Sequence, residues 1–293
     1  MGKTILFGEP MALLIADTTG PLEEVEHFTR ALSGAEVNVS IGLSRLGHPV
    51  EYLTRLGDDP FGHYIENQLK KNEIGTSMVT YDPVYRTGIQ LKNRVTDGSD
   101  PYAPYYRKGS AASHISKAEI DALDLTDVEL IHVTGIPPAL SESAREASFC
   151  LMKRAREAGI FLTFDPNLRP ALWENEETMI RVINQLASMA DAVLPGIGEC
   201  RILAGTDQPE EAADFYQNLG VKTVIVKNGA DGAYVREGEA SYCVPGYDRR
   251  YCRRGRWICS GSAQRNAGET VHERQCASRK CHRCHPGHEY QRQ

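Results

Sequence analysis

The chain has 293 residues, of which 41% are hydrophobic, and a formal net charge of −6. That length and apolar content suit one large α/β domain or two ordinary ones with a full core. No apolar run approaches the ~20 residues of a transmembrane helix, and Gly8, Glu9 and Pro10 interrupt the apolar start where a secretory signal needs continuity. We therefore expect a cytoplasmic protein with no membrane partner.

Charge and cysteine are distributed unevenly along the chain. Residues 1–248 carry 22 Lys and Arg against 36 Asp and Glu, a net charge of −14. Residues 249–293 carry 11 against 3, a net charge of +8, and hold five of the eight cysteines. A shift this sharp predicts a boundary near residue 248, with an atypical basic, Cys-rich tail beyond it.

Before that boundary, short apolar runs alternate with amphipathic stretches. The pattern predicts strands over residues 4–8, 11–17, 50–56, 87–95, 102–108, 130–134, 160–164, 192–194 and 223–227, and helices over 33–47, 58–71, 141–158, 175–189 and 209–219. Such alternation predicts an α/β fold with a doubly wound, mostly parallel sheet, flanked by helices and joined by right-handed crossovers. The stretches at 87–95 and 102–108 alternate in polarity with no helix between them, which predicts a small antiparallel lid sheet.

One strand end stands out because it delivers three polar side chains together. The continuous apolar run at 161–164 suits a strand buried on both faces, and prolines at 166 and 170 force the chain out of the sheet. Asp165, Asn167 and Arg169 therefore lie at the carboxyl end of a strand, where open α/β sheets bind ligands. The group is either a phosphate or carboxylate site or a loop closed by turn hydrogen bonds, and these residues alone leave both open.

Three further groups also have two interpretations each. Residues 34–38 begin a helix with small residues, which is either an anion or hydroxyl site or an ordinary N-terminal cap. Tyr105 and Arg107 alternate on one strand face, as a ligand wall or as a solvated edge. Residues 227–232 form a glycine turn that either approaches a nucleotide or closes a hairpin.

In combination and in this order, the groups resemble the ribokinase-like (PfkB) carbohydrate kinases. The resemblance covers about residues 3–247 and rests on the stretches 34–38, 56–62, 105–111, 165–169 and 227–232. The Tyr-Tyr-Arg-Lys-Gly-Ser run that begins at Tyr105 is similar to the branch that phosphorylates 2-keto-3-deoxygluconate. Ribokinase, fructokinase and adenosine kinase share the fold.

The resemblance implies a reaction and a set of site residues. The reaction is ATP-dependent phosphorylation of a sugar acid, most directly of 2-keto-3-deoxygluconate to its 6-phosphate, with Mg²⁺; the alternative is a fructokinase-like or ribokinase-like activity. The implied substrate residues are Gly34, Ala35, Asn38, Gln90, Tyr105, Arg107 and Arg169, with Arg169 also catalytic. The implied nucleotide residues are Asn167, Lys227, Gly229, Ala230 and Gly232, and the implied metal residue is Glu199. A homodimer is expected, with no nucleic-acid partner.

One family motif is missing. The family has Asp-Thr-x-Gly-Ala-Gly-Asp at this point, where the glycine turn forms an anion hole and the last Asp deprotonates the sugar hydroxyl. Here the chain reads Asp-Arg-Arg-Tyr-Cys-Arg-Arg-Gly-Arg-Trp from residue 248, with Arg256 at the Asp position. Residues 263–293 hold only Val271 and Tyr290 as large apolar or aromatic groups, too few to offset ordering entropy. We expect a disordered tail and little or no turnover, so that an inactive ligand-binding remnant stays an alternative.

A reading-frame change accounts for the missing motif. Read from the second base of the Arg250 codon, the triplets permit Asp-Thr-Val-Gly-Ala-Gly-Asp-Gly-Phe-Ala, and Trp257 forces the Gly that follows the second Asp. The codon of that Asp overlaps the codon of Arg256. The hypothesis is therefore a one-base change near codon 248, in the gene or in the recorded sequence.

The tail taken at face value has a rival interpretation. Cys281, Cys284 and His285 have Cys-x-x-Cys-His spacing, with Cys276 and His288 available nearby. This spacing is typical of half a zinc site or of haem attachment, and the basic charge also suits nucleic acid. Metal analysis separates the two interpretations, because a kinase with a scrambled tail should carry no stoichiometric zinc.

Overall fold

The computed structural model describes residues 2–97 and 99–246. The strands are β1 (Lys3–Phe7), β2 (Met11–Thr19), β3 (Phe28–Ser33), β4 (Val50–Gly57), β5 (Val79–Asp82), β6 (Ile89–Arg94), β7 (Tyr105–Tyr106), β8 (Val128–Thr134), β9 (Phe161–Asp165), β10 (Ala192–Val193), β11 (Thr223–Lys227), β12 (Ala233–Glu237) and β13 (Ala240–Val244). The helices are α1 (Ala35–Arg45), α2 (Pro60–Lys71), α3 (Lys117–Asp121), α4 (Pro137–Leu140), α5 (Glu142–Glu157), α6 (Glu176–Ala187), α7 (Ile197–Leu203) and α8 (Pro209–Asn218).

Nine strands form the main sheet, in the order β13-β12-β11-β10-β9-β8-β1-β4-β5. Neighbours are parallel from β11 to β5, and β12 and β13 add an antiparallel edge. The strand order reverses between β1 and β8, because the chain first builds outward to β4 and later to β9. This confirms the doubly wound sheet, and the reversal marks the place where such sheets bind ligands.

Helices cover both faces of the main sheet. On one face Val37, Leu43 and Ile65 are buried against the strands. On the other face Leu151 and Ile183 belong to a larger buried cluster. Parallel strands covered on both sides have no polar face, which explains the continuous apolar run of β9. No helix within the described residues is both long and apolar enough to cross a bilayer.

Side chains cap the starts of two helices. The Asp59 carboxylate accepts hydrogen bonds from the backbone N–H groups of Phe61 at 3.0 Å and Gly62 at 2.8 Å, with Pro60 in the first turn of α2. Asn175 likewise accepts from the Thr178 N–H at 2.8 Å at the start of α6. Each cap satisfies amides that the helix itself leaves without partners.

A second sheet of four strands, in the order β3-β2-β6-β7, lies apart from the main sheet. The two stretches predicted to pair antiparallel contain β6 and β7, and their antiparallel pairing is confirmed. The same sheet also contains a parallel pair that was not predicted, because β2 pairs with β6 in parallel. The chain passes through α1, β4, α2 and β5 of the main body between these two strands. No hairpin joins them, so no turn imposes an antiparallel course.

The strand predicted over residues 102–108 is also shorter than expected. Only Tyr105 and Tyr106 pair fully with β6, although the Leu91 N–H still donates to the Pro104 carbonyl at 3.0 Å. Pro101 and Pro104 have no N–H to return, so they interrupt the ladder. Arg107 therefore follows the strand and does not belong to it.

The glycine turn after β11 closes a hairpin onto β12. The Asn228 N–H donates to the Gly232 carbonyl at 2.8 Å, and Gly232 has a φ of +94°. A Cβ at Gly232 would stand 2.0 Å from the Val244 carbonyl oxygen, so only glycine fits. The predicted boundary near residue 248, the tail beyond it and Arg256 lie outside the described residues.

Candidate active site

A cleft of about 450 Å³ lies between the second sheet and the carboxyl ends of β1, β8 and β9. The cleft lies beside the point between β1 and β8 where the strand order of the main sheet reverses. Every residue predicted to bind substrate lines it: Gly34, Ala35, Asn38, Gln90, Tyr105, Arg107 and Arg169. Asn38 and Arg169 lie 131 positions apart in the chain, and the fold brings both of them to this cleft.

The start of α1 forms one wall of the cleft, and its backbone requires glycine. Gly34 has a φ of +151°, and a Cβ there would stand 2.7 Å from Val37 Cγ2. The Asn38 side-chain amide donates to the Gly34 carbonyl at 2.5 Å, which orients that side chain at the first turn. With no side chain at Gly34, the free amides of the first turn are open to a polar ligand.

A buried ion pair stands at the end of β1. The Arg107 Nε donates to Glu9 Oε2 at 2.6 Å, a second Arg107 nitrogen contacts the same oxygen, and the Ser110 hydroxyl donates to Glu9 Oε1 at 2.5 Å. Arg107 is 6% exposed and Glu9 is 1% exposed. The guanidinium predicted to bind substrate therefore lines the cleft with its charge already neutralised. Sequence reasoning gave Glu9 no role, because its partner lies 98 residues away.

A second carboxyl, that of Glu36, lies fully buried beside this pair. Its Oε1 accepts a short hydrogen bond from the Thr134 hydroxyl, and its Oε2 has no hydrogen-bond partner among the described residues. Burial raises the pKa of Glu36 from 4.5 to about 7, although the Thr134 hydrogen bond and the Arg107 charge act in the opposite direction. A carboxyl in this setting holds its proton up to near-neutral pH.

The second sheet forms the opposite wall. Gln90 and Lys92 are two positions apart on β6, so both face the cleft. The Ser33 hydroxyl donates to Gln90 Oε1 at 2.7 Å, which fixes the Gln90 side chain. Lys92 was not among the predicted residues, although alternation along the strand from Gln90 would have found it.

The loop after β9 brings Arg169 to the cleft. Asn167 has a φ of +39°, and its N–H donates to Asp165 Oδ1 at 3.2 Å, so the chain turns sharply there. The Arg169 Nη1 donates to the Leu168 carbonyl at 2.7 Å and to the Asn167 carbonyl at 3.4 Å. Turn hydrogen bonds therefore shape this loop, and Arg169 lines the cleft. The phosphate or carboxylate site at this strand end stays a prediction.

The residues predicted for nucleotide and metal do not line this cleft. Lys227 donates from Nζ to both Asp165 oxygens, at 2.8 and 2.7 Å, across the ends of β11 and β9. Glu199 accepts from the Leu168 N–H at 2.7 Å and the Gly196 N–H at 2.6 Å. Burial, followed by the Asp165 charge, raises the pKa of Glu199. Asn167 lies in this neighbouring cluster, and Gly229, Ala230 and Gly232 lie in the turn that follows Lys227.

The metal prediction can be tested on the donor set. No group of three or more His, Cys, Asp or Glu suited to a metal exists within residues 2–97 and 99–246. Mg²⁺ in phosphoryl-transfer sites needs only one or two carboxylates, since phosphates and water supply its other ligands. Each Glu199 oxygen accepts one N–H and keeps one lone pair, so Glu199 fits such a partial site and not an all-protein cage.

Comparison with known proteins identifies the family. The pfkB family carbohydrate kinase model matches residues 1–250. The chain belongs to this family. It is therefore a sugar kinase, and the family implies the use of ATP.

Relatives of this kinase include enzymes of the sugar-acid branch. The chain is 41% identical over 243 residues to the 2-dehydro-3-deoxygluconokinase of Bacillus subtilis, covering 83% of this chain and 75% of that protein. It is 36% identical over 245 residues to the 2-dehydro-3-deoxygluconokinase of Thermoproteus tenax, covering 83% and 74%. The crystal structure of a PfkB protein from Polaromonas sp. JS666 has a TM-score of 0.82 and 41% identity, covering 92% of this chain and 100% of that one.

The buried Glu36 predicts a specific pH dependence of the free energy of unfolding of this kinase. Between pH 4.5 and 7 the native carboxyl keeps a proton that the unfolded chain has lost, so its contribution to stability falls as pH rises through that window. The substitution Glu36→Gln keeps the shape and cannot ionise. From pH 4.5 to 7.5 we expect the free energy of unfolding of the variant, relative to the parent, to rise by about 3 kcal/mol, measured by urea unfolding.

Glu66→Gln is the matched control. Hydrogen bonds from Lys70 and Tyr81 lower the pKa of Glu66, so its contribution to stability is present at neutral pH and is lost on acidification. From pH 4.5 to 7.5 we therefore expect the free energy of unfolding of Glu66→Gln, relative to the parent, to fall. If the difference in free energy of unfolding between Glu36→Gln and the parent stays constant with pH, the raised pKa of Glu36 is contradicted.

Proposed function

We propose that the protein phosphorylates 2-keto-3-deoxygluconate at its terminal 6-hydroxyl, with ATP as the phosphoryl donor and Mg²⁺ as the metal. The observation that carries the proposal is the cleft itself, which combines hydroxyl-binding groups on α1 with cationic side chains on two separate walls. Two relatives that bear the name 2-dehydro-3-deoxygluconokinase support the same substrate. A neutral sugar such as fructose would use the hydroxyl-binding groups and leave the cations unpaired.

Each predicted residue has a part in this proposal. The first turn of α1, with Gly34, Ala35 and Asn38, would bind substrate hydroxyls. Gln90, Tyr105 and Arg107 would close over the sugar from the second sheet, which acts as a lid. These groups position the acceptor and exclude water, which is most of what a protein contributes to phosphoryl transfer.

Arg169 would stabilise charge on the transferred phosphoryl group. Its guanidinium stands at the carboxyl end of β9, with its Nη1 held by the carbonyls of its own loop. Donors fixed before the reaction stabilise developing charge without a reorganisation cost. Mg²⁺ would supply further neutralisation of the phosphate charge, held in part by Glu199.

The nucleotide would lie over the ends of β9, β10 and β11. We assign it to Asn167, to Lys227 and to the turn with Gly229, Ala230 and Gly232. Lys227 stands at the end of β11, where its Nζ donates to the Asp165 carboxylate at the end of β9.

The catalytic base belongs to the segment beyond the described residues. We propose that a one-base frame change replaces the Gly-Ala-Gly-Asp motif, so that Arg256 stands where the base Asp should be. The family match that stops at residue 250 supports this. So does the coverage of the two gluconokinase relatives, in which about a quarter of each protein lies outside the match. We further propose a cytoplasmic homodimer, by analogy with the family.

The position of the new phosphate tests the proposed reaction. The chain with its reading frame restored is incubated with ATP, Mg²⁺ and 2-keto-3-deoxygluconate, and the product is examined by ³¹P–¹H correlation NMR. We expect a single phosphate ester coupled to the protons on C6. An ester at another carbon, or ATP consumption without a sugar ester, would contradict the proposal.

A further inference from the structure

The inner face of the second sheet carries a cation that neither the motifs nor the family resemblance singled out. Lys92 lies on β6, two positions after Gln90, and both line the cleft. The neighbouring strand β2 contributes Leu13 to the same wall, opposite Gln90 in the register. Lys92 is half-buried and lines the cleft.

The charges of the cleft are unequally compensated. The Arg107 guanidinium is bonded to Glu9, so it offers hydrogen bonds to a ligand but no net positive charge. The Lys92 ammonium has no hydrogen bond or ion pair with any residue in the described part of the chain. Lys92 and Arg169 are thus the cations of the cleft without a carboxylate partner there, and they come from opposite walls.

This arrangement matches the two ends of a sugar acid. Arg169 follows β9, beside the cluster assigned to the nucleotide, and belongs with the hydroxyl that accepts the phosphoryl group. Lys92 stands on the other wall, where the far end of the substrate would lie. We propose that Lys92 binds the substrate carboxylate and thereby selects a sugar acid over a neutral sugar. The inference rests on the proposed function and adds a specificity-determining residue to it.

The test measures binding, so it does not depend on turnover. The full 293-residue chain and its Lys92→Met variant are titrated by calorimetry with 2-keto-3-deoxygluconate and with 3-deoxyfructose, in which a hydroxymethyl group replaces the carboxylate. Loss of a charge-assisted hydrogen bond should weaken binding of the acid about ten-fold or more. Affinity for 3-deoxyfructose should stay within about two-fold, because that sugar has no charge to pair.

Two further variants distinguish the loss of the Lys92 charge from a nonspecific effect of the substitution. Lys92→Arg keeps the positive charge and should retain most of the affinity for the acid. Lys108→Met removes an exposed lysine just after Arg107 that does not line the cleft, and should leave binding unchanged. Circular dichroism on each variant checks that the fold is intact.

The outcomes of these titrations distinguish a failure of the Lys92 inference from a failure of the proposed function. If Lys92→Met binds the acid as tightly as the parent does, or loses both ligands equally, the role of Lys92 is wrong while the sugar-acid function stands. If neither the 293-residue chain nor the frame-restored chain binds the acid, the proposed function is wrong and the Lys92 inference falls with it.

Discussion

Removal of the first base of codon 250 is expected to raise ATP-dependent phosphorylation of 2-keto-3-deoxygluconate at least about a hundred-fold over the 293-residue chain. The codons of the shifted frame permit Gly-Ala-Gly-Asp, as proposed above, and a positioned general base contributes about 10²- to 10⁴-fold. In the unshifted chain Arg256 would stand at that position, and a guanidinium cannot accept the proton. A coupled assay for ADP release measures both rates.

The controls for this comparison lie in the same motif. Changing the final Asp of the restored motif to Asn should return the rate to near that of the 293-residue chain, because the amide keeps the shape and cannot act as the base. Intact mass spectrometry verifies each sample. A mass-verified 293-residue chain that turns over within ten-fold of the restored chain would show that the base lies elsewhere.

The second large effect concerns the ion pair between β9 and β11. Asp165 and Lys227 join at 2.7 Å, with side chains only 8% and 15% exposed. Removing one partner leaves the other charge buried without this counterion, which costs about 3–5 kcal/mol. We therefore expect Lys227→Met to lower the free energy of unfolding by about that amount in urea titrations.

An exposed pair of the same type provides the matched control. Lys222 lies 3.1 Å from Asp191, and its side chain is 80% exposed. Lys222→Met should change the free energy of unfolding by less than about 1 kcal/mol, because solvent screens such pairs. The double variant Asp165→Asn with Lys227→Met should recover part of the loss, and strict additivity of the two changes would contradict the coupling.

Local patterns explain why part of the site was predictable. The strand–turn stretch that ends at Arg169 combines an apolar run with two prolines, so its end could be placed from neighbouring residues alone. Gly34 begins a helix with an obvious small-residue start. In each case the residues that determine the conformation are adjacent in the chain, and the cleft is built where these ends meet.

Long-range pairing explains the rest. Glu9 neutralises Arg107 across 98 residues, and no local pattern indicates that partner. The parallel pairing of β2 with β6 likewise depends on the intervening main sheet. Lys227 was predicted at the nucleotide, yet its ammonium also bonds Asp165, a contact that exists only after β9 and β11 are placed in one sheet.

The central claim is that this cleft selects a sugar acid for phosphorylation. The most direct test is the ratio of kcat/KM for 2-keto-3-deoxygluconate to kcat/KM for fructose, measured with the frame-restored chain and ATP–Mg²⁺. We expect the acid to be preferred by at least about a hundred-fold, because a site built for a charged group rejects a substrate that leaves it unpaired. Equal values, or a preference for fructose, would contradict the account.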